Sequence, residues 1–175
     1  MSILQSAPVM RILIAGVGNV LRGDDGFGVE VAQALSRSSY LPEGVTVFEG
    51  GIAGIPLVQE LMDGYDALIV ADAVERGGAP GTIYVIEPDI EDPATLDPSA
   101  LHASLADAHY TEPSKVLVLA KALRILPPKV YIVGCQPAGY DELGAELSEE
   151  VRGAVQVALR RIESLVENLN LQETA

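Results

Sequence analysis

The sequence predicts a three-layer α/β/α sandwich around a mostly parallel, five-stranded twisted sheet. Short apolar runs alternate with amphipathic segments along the chain, and this alternation is typical of βαβ units. The runs at residues 12–15 and 67–71 contain no polar residue, as expected of central strands that are buried on both faces. We expect a single domain over residues 1–175 with a loose N-terminal extension at 1–9, because this length suffices to bury such a sheet.

A glycine-rich loop that carries two acids joins the first strand to the first helix. The run at 12–15 predicts the strand, and an apolar spacing that starts at Val29 predicts the helix. Asp24 and Asp25 lie between them with a glycine on either side. One of the pair is expected to cap the helix that follows. Ligands bind beyond the carboxyl ends of strands in open α/β sheets, so an acid here is also placed to do chemistry.

The middle of the chain repeats this arrangement of a strand that ends in an acid. The predicted elements are a strand at 45–48, a helix at 55–62 and a strand at 67–71. The second strand runs into Glu49, Gly50 and Gly51, and the third ends in Asp72. An acid therefore stands at the end of each of the first three strands or in the loop that follows it.

The second half of the chain predicts the remaining strands and helices. These are a strand at 82–86, a helix from Pro113 to 123, a strand at 129–134 and a helix from Ser148 to 166. We expect the strand at 82–86 to pair antiparallel beside the third strand. Residues 87–101 have no sustained period, which predicts a surface loop that covers one side of the site. The polar residues 169–175 predict a frayed tail.

The composition argues against several functions. Twenty-five acidic against eleven basic residues give a formal charge of −14, which disfavours nucleic acid and anionic membranes as partners. No apolar run is long enough to cross a bilayer and the first residues do not resemble a secretory signal, so we expect a cytoplasmic protein. Cys135 is the only cysteine; it is interpreted as a small buried residue rather than a nucleophile.

Acids at strand ends and the two histidines of the chain are the candidates for a metal site. They are Asp25, Glu49, Asp72, His102 and His109. Each alone has an ordinary structural explanation, such as capping a helix or binding the amides of a turn. Two carboxylates and one imidazole together suit nickel, zinc, manganese or iron, and the residues do not choose among these metals.

The segment Gly16-Val17-Gly18-Asn19 begins like a dinucleotide-binding fingerprint. Leu21 stands where the third glycine would be, and two acids in the same loop would repel a pyrophosphate. A nucleotide-binding α/β enzyme is therefore the alternative interpretation. The sequence contains neither the G-x-S-x-G pattern of a serine hydrolase nor the H-E-x-x-H pattern of a zinc peptidase.

Six segments in order resemble the hydrogenase maturation proteases, endopeptidases that trim the carboxyl-terminal extension from the large subunit of nickel-iron hydrogenases. They are GVGNVLRGDDGFGVEV, EGGIAG, LIVADAV, PGT, DAHYTEPSKVLVLAKAL and PPKVYIVGCQP. The resemblance covers residues 11–166. It implies that the partner is the precursor of such a large subunit, met transiently by a monomeric protease.

The resemblance also implies a set of functional residues. Two carboxylates and a histidine would bind the nickel that the substrate already holds, and they fall on Asp25, Asp72 and His109, with His102 as the fallback. These residues are both the implied metal ligands and the implied catalytic residues. A nickel chaperone or sensor that uses the same ligands without cutting is a further alternative.

A substrate-binding segment is implied as well. The acid and glycines of the family's second segment correspond here to Glu49, Gly50 and Gly51. The implied cofactor is nickel that arrives with the substrate, and other divalent metals could occupy the same site.

Overall fold

The computed structural model describes residues 9–38, 41–52, 54–95, 113–139, 143–144 and 146–173. Its strands are β1 (Ile12–Val17), β2 (Val45–Gly51), β3 (Ala67–Ala73), β4 (Ile83–Ile86) and β5 (Lys129–Cys135). Its α-helices are α1 (Phe27–Arg37), α2 (Gly54–Leu61), α3 (Pro113–Ala122) and α4 (Glu149–Glu173). Short 3-10 turns lie at Gly23–Gly26 and Pro93–Thr95.

The strands form one sheet in the order β2-β1-β3-β5-β4. All neighbours are parallel except β4, which runs antiparallel to β5. The mostly parallel five-stranded sheet is confirmed, but the predicted partner of β4 is wrong, since β5 lies between β4 and β3. β5 pairs with all seven residues of β3, whereas four-residue β4 would cover only part of that buried strand.

Helices cover both faces of the sheet. Along β1, Ile12 and Ile14 belong to a core cluster with residues of α1 and α4, whereas Leu13 and Ala15 belong to a second cluster with residues of α2 and α3. This alternation is the period of two that a strand imposes on its side chains. The predicted three-layer α/β/α sandwich is confirmed.

The last helix is longer than predicted. α4 continues through Glu173 instead of ending near 166, and Leu169 is buried in the core. The reason is that Leu169 extends the apolar stripe of Ile162 and Val166 by one more turn. The expected frayed tail is therefore wrong for residues 169–173, while 174–175 and the extension at 1–8 lie outside the described residues. No helix in the described parts of the chain is long and apolar enough to span a membrane.

The first residues of the long loop, 87–90, do not cover the carboxyl ends of the strands. Residues 87–90 help to line a groove of about 650 Å³ with the amino end of β5. Lys121 Nζ donates a hydrogen bond to the carbonyl oxygen of Ile90, and Ile90 packs against the core. The expectation that this loop covers the site is therefore wrong for residues 87–90, and residues 96–101 lie outside the described residues.

Candidate active site

The first helix begins unusually close to the sheet. A Cβ atom on Gly28 would lie 2.1 Å from the carbonyl oxygen of Ala71 and 2.2 Å from that of Val17, so only glycine fits between α1 and the ends of β1 and β3. The 3-10 turn Gly23–Gly26, named here the acid turn, packs against β3 as a result. This approach delivers the acids of the turn to the carboxyl edge of the sheet, the edge at which β1, β2, β3 and β5 end.

Asp25 and Asp72 come together around Gly18. Gly18 has a φ of +131°, and a Cβ atom there would lie 1.9 Å from the carbonyl oxygen of Asp25 and 3.9 Å from Asp72 Oδ1. The backbone N–H of Asn19 donates a 3.2 Å hydrogen bond to the Asp25 carbonyl oxygen and holds the acid turn against this loop. Two of the predicted site residues, which lie 47 positions apart in the sequence, therefore share one corner of the carboxyl edge.

The carboxyl group of Asp72 is in an unfavourable place for a charge. Burial at the end of β3 raises its pKa to about 8, with repulsion from Asp25 acting in the same direction and a backbone hydrogen bond from Ala73 opposing both. A cation close to both groups would remove the repulsion between them. We call Asp25 and Asp72 the carboxylate pair.

Asp24 has a different role from its neighbour. It is 1% exposed, and its carboxylate accepts hydrogen bonds from the N–H of Ala138 at 2.8 Å, the N–H of Gly139 at 3.4 Å, and the N–H and hydroxyl of Ser148 at 2.7 and 3.0 Å. We call these four donors the Asp24 socket. No side chain caps the acid turn or α1. The expectation that one acid caps the following helix is therefore wrong, because Asp24 instead holds Ser148, directly before α4.

The Glu49 segment lies at the same edge, beside β1. The backbone N–H of Gly18 donates a 3.0 Å hydrogen bond to the carbonyl oxygen of Gly51, and the register between β1 and β2 shifts at Gly50. Glu49 is exposed and accepts a 3.3 Å hydrogen bond from Gln33 of α1. The segment predicted to bind substrate is thus next to the loop around which the carboxylate pair meets.

A second buried polar side chain fastens the loop that follows β3. Gln136 is 3% exposed; its Oε1 accepts hydrogen bonds from the N–H of Arg76 at 2.8 Å and of Gly78 at 3.2 Å, and its Nε2 donates to Glu75 at 3.0 Å. These bonds hold the backbone shortly after Asp72. Sequence reasoning missed this role, and the available signal was an amide side chain directly after a buried strand.

Cys135 is buried, as predicted, with no exposed surface. Burial raises the pKa of its thiol to about 12, and repulsion from Asp24 acts in the same direction. A thiol with such a pKa is not ionised near neutral pH and is a poor nucleophile. The interpretation of Cys135 as a structural residue agrees with this environment.

Both histidines lie outside the described residues, so His109 and its fallback His102 stay predictions. Within the described ranges, no group of three or more histidine, cysteine, aspartate or glutamate side chains is arranged to hold a metal. The described part of the site therefore consists of the carboxylate pair, the Glu49 segment beside it and the two buried anchors Asp24 and Gln136.

Comparison with known proteins identifies the family. The family described as "Hydrogenase maturation protease" matches residues 29–165. The chain is 33% identical to the hydrogenase expression/formation protein HupD of Rhizobium leguminosarum over 168 residues, which cover 96% of this chain and 80% of that protein. It is 34% identical to the hydrogenase 2 maturation protease of Escherichia coli over 155 residues, covering 87% and 88% of the two chains.

A solved structure agrees with the sequence matches. The hydrogenase maturating endopeptidase HybD of Escherichia coli superposes with a TM-score of 0.71 at 31% identity, covering 91% of this chain and 93% of that one. Fold, sequence and the predicted segments point to the same group of proteins. The chain therefore belongs to the hydrogenase maturation protease family and is an endopeptidase of that family.

Proposed function

We propose that this endopeptidase removes the carboxyl-terminal extension from the large-subunit precursor of a nickel-iron hydrogenase after nickel has been inserted, and that it recognises the nickel directly. The observation that carries the proposal is the approach of Asp25 and Asp72 to one another around Gly18. The nucleotide-binding alternative is disfavoured by the same loop. Its Asp25 lies at the carboxyl edge, where a pyrophosphate would bind, and would repel the phosphates.

The carboxylate pair suits a divalent cation that arrives with the substrate. Carboxylate oxygens and one imidazole form a donor set that binds nickel and related metals while leaving positions for other ligands. A cation between Asp25 and Asp72 would compensate the repulsion that now raises the pKa of Asp72. Zinc, manganese or iron could bind to the same ligands. The metal that the substrate carries would therefore determine which ion the carboxylate pair contacts.

His109 is the proposed third ligand, with His102 as the fallback. His109 precedes Pro113, the first residue of α3, by four positions, a reach of about 13 Å for extended chain. The end of α3 connects through residues 123–128 to the amino end of β5, so the start of α3 is directed toward the carboxyl edge. Asp72 has the same parity in β3 as Leu68 and Val70, which belong to the core cluster with residues of α2 and α3, so its position is on the face of the sheet that α3 covers.

The reaction is hydrolysis of one peptide bond of the precursor. In one route the substrate's nickel would polarise either the scissile carbonyl or a water molecule bound to the nickel. Water then attacks the carbonyl carbon, and the departing amine takes up a proton. In the other route a carboxylate of the pair accepts the proton of the attacking water, and the nickel serves only for recognition. Both routes require Asp25 and Asp72 beside the metal and the bond to be cut.

Exposed side chains around the pair offer a surface for the precursor. Leu21 is 63% exposed in the loop before the acid turn, and Ile52 is 55% exposed directly after β2. Apolar side chains on either side of a polar centre are typical of protein-binding surfaces. With Glu49, Gly50 and Gly51 they form the proposed contact area for the polypeptide that is to be cut.

The experiment is incubation of the purified protein with a nickel-loaded large-subunit precursor, followed by mass spectrometry of the intact subunit. We expect the loss of a carboxyl-terminal peptide from the nickel-loaded precursor and no loss from the nickel-free precursor. Binding without a mass change would support the chaperone or sensor alternative instead. Cutting of both forms at equal rates would contradict recognition of the nickel.

A further inference from the structure

We propose that Asp24 is a positioning residue, which fixes Asp25 in the place from which it can reach the substrate's nickel. The inference rests on the proposed function, because it concerns how Asp25 performs that function. It starts from the fact that Asp24 is only 1% exposed, less than any other acidic residue in the parts of the chain that the structure describes. Burying an acid in a chain of formal charge −14 is unfavourable unless specific bonds compensate for it.

The backbone hydrogen bonds that Asp25 itself makes are long. The N–H of Asp25 donates to the carbonyl oxygen of Arg22 at 3.3 Å, and the carbonyl oxygen of Asp25 accepts from Asn19 at 3.2 Å. Both distances are at the long end of the range for an N–H···O bond. Backbone bonds of this length restrain Asp25 less tightly than short ones would.

The Asp24 socket provides much stronger restraint. Three of its donors lie 2.7, 2.8 and 3.0 Å from the carboxylate of Asp24, and hydrogen bonds to a charged acceptor are roughly twice as strong as those between neutral groups. The donors come from the segment that follows β5 and from Ser148, so the acid turn is tied to two elements that are distant from it in sequence.

One of the elements that carry the socket, α4, is firmly packed. α4 begins directly after Ser148, and its buried residues Val151, Ala154 and Ala158 belong to the core. Asp24 and Asp25 are consecutive, with Cα atoms about 3.8 Å apart, so a displacement of Asp24 moves Asp25 as well. Functional side chains tolerate errors of only about 0.5 Å in position.

A purely structural role as a helix cap does not account for Asp24. The hydroxyl of Ser148 already accepts a hydrogen bond from the N–H of Val151, at 3.4 Å, in the manner of a capping side chain. Asp24 does not bind the amides of α4. It accepts hydrogen bonds from Ser148 itself and from the backbone of residues 138–139. What Asp24 adds is the connection between α4 and the acid turn.

The test compares the affinity of the full-length protein for nickel-loaded and for nickel-free precursor, in the wild type and in Asp24→Asn and Ser148→Ala. We expect the ratio of the two affinities to fall at least about tenfold in Asp24→Asn and about threefold in Ser148→Ala, while affinity for the nickel-free precursor changes less than about twofold. Asp24→Ala should lower the ratio further than Asp24→Asn, because asparagine retains one acceptor oxygen.

The matched control is Val166→Ala, which weakens α4 at a buried position far along the helix from Ser148. It should lower the melting temperature at least as much as Ser148→Ala does, yet leave the affinity ratio within about twofold of the wild type. Hydrogen exchange at the Asp25 amide should accelerate in Asp24→Asn and Ser148→Ala but not in Val166→Ala.

Failure of the proposed function and failure of the Asp24 role give different results. If the wild type binds both precursors equally, nickel recognition by the proposed site fails. If the wild type discriminates and Asp24→Asn or Ser148→Ala keeps the full wild-type ratio with unchanged exchange at Asp25, the positioning role of Asp24 is overturned while the proposed function stands.

Discussion

Asp24 and Asp25 are consecutive and chemically identical, yet they occupy opposite kinds of environment. The Asp24 socket surrounds one carboxylate with donors and hides it from solvent. Asp25 instead faces a second acid, Asp72, whose pKa it helps to raise. Hydrogen-bond donors compensate the buried carboxylate of Asp24, whereas Asp25 and Asp72 repel each other.

The difference separates what stabilises the fold from what the fold is used for. A carboxylate with four hydrogen bonds contributes to holding α4 against the acid turn. Two acids close together without a cation cost stability, and proteins keep such arrangements mainly at functional sites. Asp24 therefore supports the fold and the position of Asp25, whereas the proposed chemistry belongs to the carboxylate pair, and four experiments can break or sharpen this comparison.

The largest expected effect is on processing. Asp25→Asn, Asp72→Asn and His109→Ala should each slow cleavage of the nickel-loaded precursor by about a thousandfold, because each removes a proposed contact to the metal, while circular dichroism shows an intact fold. Glu167→Gln, at an exposed position near the end of α4, is the control and should process normally. Wild-type rates in all three site variants would refute the assignment.

The free energy of unfolding should depend on Asp24 more than on Asp25, the reverse of what we expect for processing. Asp24→Ala removes a buried carboxylate and leaves the donors of the socket without their acceptor, so the free energy of unfolding should fall by about 2 to 4 kcal/mol. Asp25→Ala should change it by less than about 1 kcal/mol, since it removes a repulsion and no described hydrogen bond to that side chain. Urea unfolding of both variants measures the difference. Equal losses would show that the two environments are not distinct.

The pH dependence of stability should reveal the carboxylate pair. The pKa of Asp72 is raised from 3.8 to about 8 in the folded protein, so the folded state holds the proton more tightly than the unfolded state. Stability is therefore favoured below pH 3.8 and lost progressively as the pH rises toward 8.

Asp72→Asn does not undergo this loss. Without nickel-loaded precursor it should become more stable than the wild type as the pH increases, by up to about 1.4 kcal/mol per pH unit, with the difference levelling off above pH 8. Thermal unfolding of both proteins from pH 5 to pH 9 is the measurement. In an Asp25→Asn background the advantage should shrink, because one cause of the raised pKa is gone. A constant difference across the range would count against the paired environment.

The smallest effect concerns α4 alone. Gly153 lies in the interior of α4, and a Cβ atom there would meet open space. Gly153→Ala should raise the free energy of unfolding by about 0.5 to 1 kcal/mol through helix propensity and leave the processing rate unchanged. A slower rate in this more stable protein would mean that α4 must loosen for catalysis, which the comparison does not predict.

The fold was largely predictable because its signals are local. The strands β1 and β3 are apolar runs short enough to recognise directly, and the spacing of Val151, Val155 and Ile162 marks α4. The neighbour of β4 was not predictable in this way. It depends on which strand pairs better with β3, and that competition involves segments far apart in the chain.

The candidate site also has a part that could be predicted from the sequence and a part that could not. Asp25 and Asp72 could be grouped because parallel strands bring their carboxyl ends to one edge. The role of Asp24 could not be predicted, since its partner Ser148 is 124 positions away and the intervening sequence contains no pattern that links them. Nothing in the two aspartates themselves distinguishes the one in the socket from the one in the carboxylate pair.

The central claim is that Asp25 and Asp72 act together on the nickel of the substrate. The most direct measurement is the affinity of the Asp25→Asn, Asp72→Asn double variant for the precursor with and without nickel, beside the same pair of affinities for the wild type. We predict that the wild type binds the nickel-loaded form at least about a hundredfold more tightly and that the double variant binds both forms alike. A double variant that still prefers the nickel-loaded precursor as strongly as the wild type would contradict the account.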